Sequence, residues 1–246
     1  MQKIIHRIKH LALRVSLYPD VLCLLGLGSM AETNRLDDYS DMDFFLIVKD
    51  DTKEAFIRDL SWLEVVPLTF QFQNTKDGYK VLFEDGIFAE FAVFTETEML
   101  TAHFTKGRIY YQKEGFDLSI VEPRYAPKTK TVDPEFNVCE ALTNIYIGLK
   151  RHCRGEISSA TTFIQSYAYP LIIELMQFVY PEHSILEDPY VYERRIETRF
   201  PDANFLLNSM RQGALKNQAS AKAMLDFLKE YFHPNPHLVA QCESML

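Results

Sequence analysis

Leu27-Gly28-Ser29, followed after eleven residues by Asp41-Met42-Asp43-Phe44, is the stretch on which the reading of this chain turns. Two carboxylates spaced i, i+2 project to one face of an extended segment. Side by side they suit a pair of Mg²⁺ ions, the clamp that stabilises in-line displacement at phosphorus. A glycine ahead of them lets the backbone approach a phosphate closely. Ser29 can open a helix whose free N–H groups face an anion. The flanks support the motif. Val21-Leu22-Cys23-Leu24-Leu25-Gly26-Leu27 and Phe44-Phe45-Leu46-Ile47-Val48 are apolar runs of strand length. Carboxylates at the mouth of such a strand occupy an expensive place for unpaired charge.

A third carboxylate is available. In Ile87-Phe88-Ala89-Glu90-Phe91-Ala92-Val93-Phe94, Glu90 is the single polar residue of an apolar strand. Such groups cluster at functional sites, although pairing with an arginine is the competing structural explanation. Beside Asp41 and Asp43, Glu90 could act as general base on an acceptor hydroxyl or complete a metal site. Glu84 and Asp85 precede Gly86 and read as turn residues.

The glycine-serine pair and the Asp-x-Asp that follows it resemble the signature of the polymerase-β-type nucleotidyltransferases. A closer resemblance, to the larger two-domain lincosamide nucleotidyltransferases, runs through residues 28–49, Ser61-Trp62-Leu63-Glu64-Val65-Val66-Pro67 and residues 83–99, then more faintly through 137–149 and Arg154-Gly155-Glu156. It covers most of residues 20–175. The resemblance implies a Mg²⁺-dependent enzyme that moves AMP from ATP to a hydroxyl of a small molecule, a lincosamide-like or aminoglycoside-like antibiotic, with release of pyrophosphate. It places two Mg²⁺ ions on Asp41 and Asp43, the base at Glu90, and the nucleotide along Gly28 and Ser29. Relatives carry a basic residue and a glycine after the glycine-serine pair, whereas this chain reads Met30-Ala31-Glu32-Thr33-Asn34-Arg35. Glu32 has the wrong charge for a triphosphate; Arg35, with Thr33 and Asn34 as neutral donors, is the substitute on offer. Lys150, in the cluster Lys150-Arg151 with Arg154, is a second candidate nucleotide contact. Its position near a helix C-terminus favours a purely structural role equally.

The formal charge of −8 argues against a nucleic-acid acceptor, because phosphate-backbone binding relies on a basic surface. No apolar run reaches the roughly 18 residues of a membrane span. The first residues interleave Lys3, His6, Arg7, Lys9, His10 and Arg14 with apolar positions at helical spacing, which reads as an amphipathic helix and not as a cleavable signal. A cytoplasmic protein is expected. Cys23, Cys139, Cys153 and Cys242 show no CxxC pairing and read as reduced thiols.

The chain divides by texture. Residues 1–122 mix helix and strand: a helix marked by Ile4, Ile5, Ile8, Leu11, Ala12 and Val15, the two strands bracketing the motif, a helix capped near residues 51–54, a hairpin of 68–73 and 79–83, the Glu90 strand, a short helix near 96–103 and an edge strand at 109–112. Residues 123–134, punctuated by Pro123, Pro127 and Pro134, read as a linker. Residues 135–246 follow as a helical acceptor-binding domain. Helices are expected, with the first reaching back into the linker, at 133–152, 158–179 (kinked or interrupted by Pro170), 190–200, 202–210 and 215–232. His233-Pro234-Asn235-Pro236-His237 reads as a turn. The expected fold class is α+β; the resemblance implies a polymerase-β-like nucleotidyltransferase domain with a mixed sheet and flanking helices, followed by a helical bundle. Two other functions fit the motif. One is AMP transfer to a protein partner, against which the size of the helical half counts; the other is a non-catalytic nucleotide-binding module, which would not need all three carboxylates. A homodimer is compatible with the resemblance.

Overall fold

The computed structural model describes residues 2–32, 36–125, 131–183 and 191–246. Two compact units make up the chain, Met1–Pro127 and Lys128–Leu246.

In the first unit the apolar runs become strands of one six-stranded sheet. Its members are β1 (Val21–Gly26), β2 (Met42–Val48), β3 (Leu68–Gln73), β4 (Gly78–Phe83), β5 (Phe88–Thr95) and β6 (Arg108–Gln112), in the order β3-β4-β5-β2-β1-β6. Only the β2–β5 pair is parallel; the other pairs are antiparallel, so the sheet is mixed. Alternation along the strands sorts side chains between the faces. Met42, Phe44, Leu46 and Val48 of β2 join Ala89, Phe91 and Val93 of β5 in a core closed by α1 (Gln2–Val15), α2 (Lys53–Arg58) and the 3-10 turn Leu60–Leu63. Trp62 anchors that turn: its indole N–H donates to the Phe56 carbonyl at 2.9 Å, and its ring meets Phe91 edge-on. The other face is covered at one end only. There Cys23, Leu25 and Ile47 pack with Met99 of α3 (Glu96–Met99), Phe104, Ile120 and Val121.

Lys53 staples the unit. Buried at the start of α2, its ammonium lies 2.5 Å from the Asp77 carboxylate in the β3–β4 turn and 2.6 Å from Glu98 in α3. Arg7 departs from the amphipathic reading of α1. It is buried over the Phe83 ring, 4.4 Å from its centroid, and pairs with Asp85 of the β4–β5 turn.

The second unit is helical: α4 (Pro134–Cys153), α5 (Ile157–Thr161), α6 (Tyr169–Leu175), α7 (Ile196–Arg199), α8 (Asn204–Met210), α9 (Asn217–Tyr231) and α10 (Pro236–Glu243). With the mixed sheet of the first unit, this makes the chain α+β. Asp133 caps α4, accepting from the Glu135 and Phe136 amides at 3.0 and 3.2 Å, with Pro134 in the first turn where a missing N–H costs nothing. Pro170 does not break its helix. The stretch Thr162–Ala168 widens into a π-helix just before it, which relieves the clash of the ring with the preceding turn. That widened turn sits on Gly148 of α4, where an added Cβ would stand 2.5 Å from Ile164. Ile164 is fully buried and has nowhere to retreat. Gly148→Ala should therefore destabilise this unit by about 1–2 kcal/mol, overpacking outweighing the better helix propensity of alanine. Differential scanning calorimetry should show its transition lowered by roughly 2–8 °C; a raised transition would contradict the close fit.

Two expectations fail here. The helix over 190–200 shrinks to Ile196–Arg199, because Arg195 takes a left-handed conformation (φ 59°) and buried Arg199 turns inward to Glu182 and the Tyr192 carbonyl; Tyr190 lies outside the described residues. The turn expected at residues 233–237 instead opens α10, with the Asn235 side chain capping the His237 and Leu238 amides. Among the described residues, no helix is long and apolar enough to cross a membrane.

Candidate active site

The sheet face opposite α1 is uncovered, within this unit, at the end where β2 and β5 begin. Parallel pairing sets Asp43 against Glu90, and antiparallel pairing of β4 with β5 sets Glu90 against Lys80. Asp43, Glu90 and Lys80 thus form a row across three adjacent strands. The row has alternation's parity on its side: each residue's strand neighbours, such as Phe44, Phe91 and Val81, belong to the α1-side core.

Gly28 stands at the β1 end of this row. The Leu27 amide donates to the Asp43 carbonyl at 2.8 Å, which draws the loop after β1 over the start of β2. Gly28 adopts φ +52°, and a Cβ there would lie 3.1 Å from the Asp43 carboxylate. The position therefore demands glycine for two reasons, a left-handed backbone and close approach. Gly28, Ser29 and Met30 form a single 3-10 turn closed by the Met30 and Ala31 amides on the Leu27 and Gly28 carbonyls, at 2.8 and 3.2 Å. This corrects one expectation. A helix N-terminus does not follow Ser29, so any anion contact comes from one turn and not from the summed dipoles of a helix.

Glu90 is not isolated, and its partner is not an arginine. Its carboxylate lies 3.3 Å from the Lys80 ammonium and accepts from the Asn74 side-chain amide at 3.0 Å. The sequence carried a signal for Lys80. Residues 80 and 90 lie equally far from Asp85 in the turn, so a tight hairpin pairs them. Asn74 belongs to the β3–β4 turn, whose Asp77 is held by Lys53, and its carbonyl oxygen is buried without a hydrogen-bond partner.

Asp41 lies one residue before β2, in an exposed loop, because pairing with β5 starts only at Met42. Strand alternation therefore fixes Asp43 but not Asp41. Asp41 faces a cleft of about 750 Å³ shared with Asp38, Tyr39, Asp85, Phe88 and Lys3. Among the described residues no three His, Cys, Asp or Glu side chains are grouped to hold a metal ion. The Glu90 carboxylate is oriented by Lys80 and Asn74. Asp41 and Asp43 are hard oxygen donors, one in the loop before β2 and one on the strand. Mg²⁺ is ordinarily bound through one or two carboxylates plus substrate phosphates, so this donor set suits it without a closed protein cage.

Arg35, with Thr33 and Asn34, lies outside the described residues. Lys150 is in the last turn of α4 in the second unit, its ammonium 5.2 Å from the Tyr146 ring centroid. All four cysteines are free, and burial pushes the Cys23 thiol up to about 12.

No family model and no curated protein matches this chain. Among solved structures, it is similar to an aminoglycoside 6-adenyltransferase from Bacillus subtilis, with 16% identity over 96% of this chain and 89% of that one and a TM-score of 0.37. It is also similar to a nucleotidyltransferase-like protein from Exiguobacterium sibiricum, at 16% identity over the same shares and a TM-score of 0.27. A third is the spectinomycin adenyltransferase from Enterococcus faecialis with ATP and spectinomycin, at 13% identity, 100% and 97% coverage and a TM-score of 0.30. Likeness at this level carries no argument about fold or activity, which rest on the geometry above.

Proposed function

We propose that the first unit transfers a nucleoside monophosphate, AMP from ATP, to a hydroxyl of a small molecule of the lincosamide or aminoglycoside kind, releasing pyrophosphate. The observation that carries this reading is the row of Asp43, Glu90 and Lys80 with Gly28 packed against its end. Two Mg²⁺ ions, held by Asp41 and Asp43 together with the phosphates, would supply charge neutralisation of the displacement at phosphorus. Gly28 and Ser29 let the chain close on the nucleotide. Glu90 takes the proton from the acceptor hydroxyl as that oxygen attacks the α-phosphorus, and pyrophosphate leaves on the far side. Arg35 and Lys150 are the proposed cationic contacts to the nucleotide. Residues 135–246, after a linker at 123–134, are the proposed source of acceptor specificity.

Lys80 and Asn74 aim the base. A carboxylate fixed from two sides loses less freedom on meeting the hydroxyl than one swinging in solvent. Lys80→Met should lower kcat about tenfold or more and leave the KM for ATP unchanged, with Lys80→Arg restoring part of the loss. An equal rise in KM for ATP with kcat intact would assign Lys80 to the nucleotide instead.

The test is pyrophosphate release from each of the four nucleoside triphosphates, with Mg²⁺ or with chelator, across a panel of lincosamides and aminoglycosides. Acceptor-dependent release that needs Mg²⁺ is expected, with ATP preferred. Release that ignores the acceptor would leave a nucleotide hydrolase, and none at all would remove the transferase reading.

A further inference from the structure

We propose that a pocket between α1 and β6, on the sheet face opposite Asp43 and Glu90, binds a phosphate-bearing anion. The pocket measures about 400 Å³, the size of a small-ligand site, and His6, Lys9, Arg108, Tyr110, Leu36 and Ile5 line it. Three nitrogen bases thus converge from two elements, and among the described residues no carboxylate belongs to the lining.

That convergence runs against the net acidity of the chain. The chain carries 34 acidic against 26 basic residues. Elsewhere in this unit Arg7, Lys49, Lys53 and Lys80 each face a carboxylate. His6, Lys9 and Arg108 take part in no ion pair among the described residues. The Arg108 guanidinium has instead the Tyr110 ring, 5.6 Å from its centroid, and His6 meets the His10 ring edge-on at 6.3 Å. The Lys9 and Arg108 charges, held around one concavity, repel each other unless an anion enters. A guanidinium offers a planar fork to two phosphate oxygens, and an ammonium adds a compact charge beside it. The ligand class that fits is a compact phosphate or diphosphate, free or borne on a small molecule.

The pocket belongs to the α1 face. Tyr110 and Ile5 pack against the core that α1 closes, whereas Asp43 and Glu90 point away from it. It nevertheless touches the catalytic loop from behind. The Tyr110 hydroxyl donates to the Met30 carbonyl at 2.8 Å, at the end of the Gly28–Met30 turn. Its ring fills the space above Gly26, where an added Cβ would lie 2.5 Å from it. Occupancy of the pocket is thereby coupled to the turn that approaches Asp43. The binding itself does not depend on the transferase reading.

The test is isothermal titration of the full chain with pyrophosphate and, separately, inorganic phosphate, both without Mg²⁺. Wild type and Asp43→Asn should bind with equal affinity, while Lys9→Gln and Arg108→Gln each weaken binding about tenfold or more, and rising salt weakens it further. Both substituted side chains are exposed, and unchanged thermal melts confirm that the variants fold. Perturbation of the Tyr110 ring resonances on titration adds a readout that needs no variant. Tighter binding of pyrophosphate than phosphate marks a diphosphate-bearing ligand; equal binding marks a single phosphate. Absence of saturable binding in wild type overturns the proposal. So does binding that Asp43→Asn abolishes and Arg108→Gln leaves intact, which would put the anion on the catalytic face.

Discussion

Asp43→Asn is expected to reduce nucleotidyl transfer by at least ~10³-fold in kcat while leaving the melting temperature within about a degree. Asparagine matches aspartate in shape, and the bond that Asp43 contributes to loop closure runs from the Leu27 amide to its main-chain carbonyl, which the substitution keeps. The parallel pairing with Glu90 on β5 is likewise a backbone property. The side chain keeps its shape and loses its negative charge. A neutral amide does not hold a hard divalent cation against water, so affinity for Mg²⁺·ATP should fall together with turnover. Steady-state pyrophosphate release and calorimetry on the same preparation check both halves. Wild-type turnover in this variant would remove Asp43 from the machinery.

Glu90→Gln should lower kcat by about 10²- to 10⁴-fold, the usual contribution of a general base. The two variants separate by binding. Glutamine keeps an oxygen for the Asn74 amide now 3.0 Å from Glu90, but it cannot take a proton and no longer pairs with Lys80. Affinity for Mg²⁺·ATP should therefore stay near wild type in Glu90→Gln and fall in Asp43→Asn. Single-turnover kinetics with titrated ATP resolves this. Loss of nucleotide affinity in both would return Glu90 to the metal site.

Much of the first unit was legible in the chain because its signals are local. Continuous apolar runs gave β1 and β2, and Asn74-Thr75-Lys76-Asp77-Gly78 marked the turn between β3 and β4. Helical spacing picked out Ile4, Ile8, Leu11, Ala12 and Val15, all buried in α1. What escaped was pairing over distance. Nothing near Arg7 announces that it will be buried under Phe83 and meet Asp85, seventy-eight positions away. The Lys53 staple joins three segments that no single window contains.

The candidate site divides the same way. Asp43 and Glu90 stood out as carboxylates in apolar strands, and strand register brought them together. Asp41 was placed on the strand by its spacing, yet the ladder begins one residue later, so its direction is set by the loop. The helix expected after Ser29 reduced to one turn. In the second unit, Asn235-Pro236 reads equally well as a turn or as a cap with proline in the first helical turn, and the apolar Leu238-Val239 decided for the helix by packing into the bundle core.

The most direct test of the central claim is mass spectrometry of the acceptor after incubation with ATP and Mg²⁺, wild type beside Asp43→Asn. A mass gain of one adenylyl group on lincomycin, clindamycin or an aminoglycoside with wild type, absent with the variant, is the predicted result. An unmodified acceptor panel, together with no Mg²⁺-dependent binding of ATP, would contradict the assignment of this sheet face to nucleotidyl transfer.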